Sequence, residues 1–287
     1  MATTDRSTRD MVVRKMMIDF TDAKVYWSPG QPEFSQIMNA ASASLPELEP
    51  FLCKVVNAAR EKLSEHDVEL ARDAALFVGQ EGRHSRLHRQ FNDTLIKEGY
   101  TWLHKLQKEL HDHLEDIRVR RGHKFALAYS EAFETFGPLA ASFCFDKGRD
   151  LFTPWDEPTV YLWLWHMAEE YEHRTVCNYL YRELYDDYFT RIRALYAFCV
   201  HFLGWVMRVA FQLIRTDRNS GRLPNTWLSR VREVKALFRL FSFVMPRLVV
   251  RGLKPHHDPA LLPPPSGVMS LLAAASERYG VADPPQR

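Results

Sequence analysis

Apolar residues recur every three or four positions through most of the chain, with polar residues between them, which is the spacing of helices that bury one face. The step Ser44-Leu-Pro-Glu47 offers a Ser N-cap, a Pro in the first turn and a Glu at N3, so it predicts a first helix over about 44–63. Asp67 or Ser64 can cap a second, reaching about Lys97, where Glu98-Gly99 breaks the pattern. A separate amphipathic stretch over about 100–118 leads to Arg121-Gly122 and a third core helix over 123–145. A loop with Gly148, Pro154 and Pro158 precedes a fourth, over 159–188. Two more apolar helices are predicted at 189–215 and 226–250, with a short helical patch at 268–279. Strand-like alternation is missing, so the expected class is all-α. The organisation predicted is an irregular leader (1–43), a four-helix bundle (44–188), a helical extension of the same domain (189–254) and a Pro-rich tail (255–287).

Composition narrows this picture without deciding function. The 287 residues are 46% hydrophobic and 26% charged, ordinary for a domain with a sizeable core. A net charge of +2 makes no case for nucleic acid as a partner. Cys53, Cys144, Cys177 and Cys199 are widely spaced in apolar contexts and read as thiols of a cytoplasmic protein.

The chemistry lies in a repeated motif. Glu81-Gly-Arg-His84 returns as Glu170-Tyr-Glu-His173, and each places a carboxylate and an imidazole on one helix face. Two such helices, with one Glu from each of two others, form a cage of four carboxylates and two histidines for a pair of metal ions. Hairpin geometry tests this. The midpoint of Glu49 and Glu81 is residue 65, in the predicted turn, and that of Glu134 and Glu170 is residue 152, in the predicted loop. Both hairpins therefore bring a Glu level with an ExxH. The expected metal ligands are Glu49, Glu81, His84, Glu134, Glu170 and His173, with Glu131 the alternative to Glu134. Glu47 is expected to cap its helix, and Glu169 and Glu172 to form ion pairs or support a ligating His. His88 and His166 lie four residues from their motifs. If the long connection between the second and third helices crosses the bundle, both fall at the same end of the site, as a further ligand or as catalytic proton donors. Gly137-Pro138 is expected to kink the third helix.

These residues resemble a known family. Pro46-Glu-Leu-Glu49-Pro-Phe51, Gly79-Gln-Glu81-Gly-Arg-His84-Ser-Arg-Leu-His88, Glu134-Thr-Phe136 and Trp165-His-Met-Ala-Glu-Glu170-Tyr-Glu-His173 are similar to motifs of predicted metal-dependent hydrolases, over about 15–260. That resemblance implies a ferritin-like helical core and the same six ligands.

The carboxylate-rich donor set, on helices, favours two iron ions and a dioxygen-using oxidase or oxygenase, with an electron donor as partner. Mn or Zn and hydrolysis through a metal-bound hydroxide form the alternative. Iron storage or structural metal binding is a further one. Aromatic residues near the motifs suggest a small, apolar or lipid-like substrate. The segment from Arg191 to Lys254, rich in Arg and poor in acids, is expected to pack on the bundle or form a homodimer interface, with peripheral membrane contact as the alternative.

Overall fold

A computed structural model describes residues 11–154 and 157–282. The described residues are helical, with no strand and a single isolated bridge between Arg14 and Val281. The α-helices are α1 (Pro32–Arg60), α2 (Val68–Lys97), α3 (Leu103–Arg120), α4 (His123–Ser142), α5 (Pro158–Glu172), α6 (Val176–Leu184), α7 (Tyr188–Ala197), α8 (Leu203–Ser220), α9 (Trp227–Gly252) and α10 (Val268–Tyr279). Helices α1 and α2 pack as one hairpin, α4 and α5 as another, and the two hairpins pack against each other. The connection from α2 to α4 carries α3 across the bundle, so α2 and α5 run in opposite directions. Their contacts show this: Gln80 meets His173, and His88 meets His166.

Helix α1 begins at Pro32, well ahead of the predicted Ser44 cap. Ser44 is an interior residue whose hydroxyl donates to the Ala41 carbonyl. Glu47 caps nothing and faces His111 and Arg89 instead. The misleading signal was proline. Pro46 and Pro50 lack the N–H groups that would bond the carbonyls of Ser42 and Pro46, which normally stops a helix. Here α2 replaces both donors: Asn92 Nδ2 reaches the Ser42 carbonyl at 2.9 Å, and Arg89 Nη2 reaches that of Pro46 at 2.9 Å. Tertiary hydrogen bonds thus carry α1 through two breaks. The true start is Pro32 at the first helical position with Glu33 in the first turn.

The expected fourth helix is two. Helix α5 ends at Glu172, His173 to Thr175 form a tight turn, and α6 resumes at Val176. This turn contains neither Gly nor Pro, so no local signal marks it. Helix α4 continues through Pro138 to Ser142. The extension begins as predicted but is longer: α7 and α8 join through a π-turn at Phe198–Phe202 into one helix of 33 residues. Asp217 in α8 is fully buried and accepts from Tyr26 at 2.7 Å, Tyr100 at 2.5 Å and Gln36, which locks the extension to α1.

The leader is also ordered where described. Trp27 packs on Phe34 and Phe152, and Val13 rests on α2 at Gly79, where a Cβ would come within 2.5 Å of it. Replacing Asn92 by Ala should cost about 1–3 kcal/mol, because the buried Ser42 carbonyl loses its donor. Arg89→Ala should cost less, because Arg89 is exposed. Urea unfolding of the two variants checks this order.

Candidate metal centre

Helices α1, α2, α4 and α5 each deliver one Glu to a common level, and the two ExxH histidines enter beside them. Glu49, Glu81, His84, Glu170 and His173 are fully buried, and Glu134 is 1% exposed. His173 Nε2 lies 3.2 Å from Glu81 Oε1, 3.4 Å from Glu134 Oε2 and 3.7 Å from Glu170 Oε1. His84 Nδ1 lies 3.6 Å from Glu81 Oε1. Three overlapping groups can each hold a metal ion: Glu49, His84 and His166; Glu81, His84 and Glu170; Glu81, Glu134 and His173. Both oxygens of Glu49, Glu81 and Glu134, Glu170 Oε2, His84 Nδ1 and His173 Nε2 are buried without a hydrogen-bond partner. Buried polar atoms are rarely left so. Here they occur on all six expected ligands.

Glu170 fits only because residue 137 has no side chain. A Cβ there would stand 2.0 Å from Glu170 Oε2. Glycine at this point in α4 admits the carboxylate of α5 into the centre. Glu131 takes no part: it accepts from Asn178 at 2.9 Å and lies 3.6 Å from Arg191.

A second layer fixes which nitrogen each histidine turns inward. His84 Nε2 donates to Glu169 at 3.0 Å, leaving Nδ1 for the centre. Gln80 spends its amide N–H groups on the Val12 carbonyl and Glu172, so its oxygen accepts from His173 Nδ1 at 2.9 Å and leaves Nε2 inward. Arg14, from the leader, clamps Glu169 at 2.7 Å and Glu172 at 2.8 Å. Such outer contacts set the tautomer and orientation of a metal-binding imidazole.

The other two histidines meet. His88 Nε2 lies 2.9 Å from His166 Nδ1, and the order of donors can be traced from Asn92. Its amide donates to the Ser42 carbonyl, so its oxygen accepts the Ser42 hydroxyl at 2.8 Å. Ser42 Oγ then accepts from His88 Nδ1 at 2.8 Å, and His88 Nε2 accepts from His166 Nδ1. This leaves the lone pair of His166 Nε2 facing Glu170 Oε1 at 3.0 Å. Two acceptors at that distance need a proton or a cation between them.

Electrostatics demand the same. Burial, and then mutual repulsion, pushes Glu49 and Glu134 well above the usual carboxylate range. Burial pushes Glu81 up to about 8 against the attraction of His173. For Glu170 burial is outweighed by the attraction of the His166 and His173 rings in their protonated forms, which holds it low. Burial pulls His173 down, but Glu170 and Glu81 outweigh it and raise it. Without metal, protons supply the missing positive charge. Four formal negative charges match two divalent cations, and the donor set of carboxylate oxygens and imidazole nitrogens suits such ions.

The family of predicted metal-dependent hydrolases matches residues 12–261, and the chain belongs to it. No curated protein and no solved structure matches.

Sequence reasoning had missed Arg14, Gln80, Ser42 and Asn92. Gln80 and Asn92 stand one residue before Glu81 and four after His88, so helical spacing held a signal. Arg14 lies far away in the chain and left none.

Two outcomes follow. Raised acids favour the fold while protonated, so the metal-free protein should lose stability as pH rises from about 4.5, the ordinary Glu value, through about 8. Added divalent metal should restore it, most strongly at the upper end, as thermal unfolding across pH would show. Gly137→Ala favours the helix by about 0.5–1 kcal/mol but displaces Glu170. It should lower bound metal, measured by elemental analysis, while in the metal-free protein the helix gain offsets only part of the cost of moving the buried Glu170.

Proposed function

We propose that the chain is a metal-dependent hydrolase with a two-ion centre in a ferritin-like bundle. The convergence of orphaned buried donor atoms carries this reading, and the family supports it. Glu134 and His173 would hold one ion and Glu49 and His84 the other, and Glu81 and Glu170 would complete the donor set. His166 serves as a third nitrogen donor, since its Nε2 lone pair faces inward. Two ions bound there supply Lewis acidity and bring the pKa of bound water toward neutrality.

The chain's own residues do the rest. Glu169 and Gln80 orient His84 and His173. His88 touches His166 on one side and Ser42 on the other, so it is placed to carry a proton away from the site. Burial and the neighbouring histidines hold its pKa well below the usual value, keeping it a neutral acceptor. The indole N–H groups of Trp163 and Trp165 are buried without partners, while their rings sit edge-on to His88 and His84 at 4.8 Å.

A second reading, dioxygen chemistry at two iron ions, is favoured by the donor set itself: four carboxylates against two or three histidines, all on bundle helices. One comparison separates the two. The Zn- or Mn-loaded protein should hydrolyse ester or amide substrates, and anaerobically loaded ferrous protein should not consume oxygen beyond oxidation of its own iron. Oxygen uptake coupled to substrate oxidation, without hydrolysis, reverses the ranking. His88→Ala should reduce turnover about 10²–10⁴-fold with both ions retained. Glu81→Ala should lose at least one ion.

A further inference from the structure

Helix α9 turns an apolar face outward. Trp227 is 80% exposed, Leu228 62%, Val231 38%, Val234 64% and Phe238 70%. At about 100° per residue these five fall within about 120° of the helix circumference, so they form one stripe over three turns. Ser229, Glu233 and Ala236 are buried on the opposite side, against the bundle. The stripe is therefore the face that folding leaves uncovered.

Charge around it is of one sign. Arg230 is exposed on α9 beside the stripe, Lys235 is exposed within its arc, and Arg222 is exposed in the loop before it. Between Arg191 and Lys254 the acids are Asp217 and Glu233. Both are buried: Asp217 accepts from tyrosines, and Glu233 pairs with Arg218 at 2.8 Å. Two acids that other elements bring to α9 are paired, Glu33 with Arg232 at 2.9 Å and Asp150 with Arg239 at 2.6 Å, while Asp146 accepts from the Ser266 N–H. No described acid of this segment faces outward.

We propose that this face of α9 docks on an anionic lipid bilayer, lying in the plane of the interface. An amphipathic helix with aromatic and aliphatic residues on one side and bases beside them is built for the boundary of acyl chains and headgroups. Trp and Phe sink into that boundary, and the bases meet lipid phosphates and carboxylates. A second copy of the chain fits less well, since a two-fold contact would set like charges against each other. Spanning the membrane fits less well too. The long α7–α8 helix has 44% of its apolar window buried within the fold, and α9 carries Arg or Lys along its whole length.

Sedimentation of the full-length protein with vesicles tests this. Phosphatidylcholine vesicles containing roughly 30% phosphatidylserine should pellet it at about 0.1 M salt, and about 1 M salt should release it. Pure phosphatidylcholine should bind at least about tenfold more weakly. Trp227→Ser/Val234→Ser/Phe238→Ser should weaken binding about tenfold or more while leaving the melting temperature and metal content unchanged, because these side chains support no packing. Arg230→Glu/Lys235→Glu should weaken binding to the anionic vesicles by a similar factor. Failure to pellet with the anionic vesicles overturns the proposal. So does a monomer–dimer equilibrium abolished by the triple variant in the absence of vesicle binding, which would make the stripe a self-association surface. Neither result bears on the metal centre, which elemental analysis of the same samples reads separately.

Discussion

Mutual repulsion among four buried carboxylates is the constraint to which this structure answers. Glu49, Glu81, Glu134 and Glu170 come from four helices, and each is costly to bury charged. The bundle holds them together through a surrounding layer of paired side chains behind the histidines. Arg14 pairs with Glu169 and Glu172, Gln80 joins His173 to Glu172, and Asn92 and Ser42 anchor His88. Satisfied hydrogen bonds outside enforce unsatisfied ones inside. That contrast is what a built cation site calls for and a chance cluster of acids does not.

The same second layer explains an irregular feature of the fold. Helix α1 crosses Pro46 and Pro50 because Asn92 and Arg89 of α2 supply the donors that the prolines lack. Asn92 therefore has two duties: its amide nitrogen completes α1, and its amide oxygen begins the chain of hydrogen bonds that ends at His166. Helix continuity and site chemistry rest on one side chain.

What the sequence made legible were features with a period. The paired ExxH motifs, the level Glu partners and the helix boundaries near Lys97, His123 and Val268 could all be read from spacing. The start of α1 could not, since proline and serine are local signals and the donors that override them sit on another helix. The break at His173 was equally silent, because its residues have no intrinsic bias toward a turn. Arg14 lay beyond any pattern. Its partners are more than 150 positions away, and only the folded chain makes them neighbours.

Arg14 also touches α10: its Nε reaches the Leu272 carbonyl at 3.2 Å and Ser276 Oγ at 3.0 Å. The residue that clamps the outer carboxylates of the centre is thus itself held by a helix 258 and 262 positions away in the chain. A displacement of α10 would therefore be felt behind His84 and His173, passed on through the one guanidinium that holds Glu169 and Glu172.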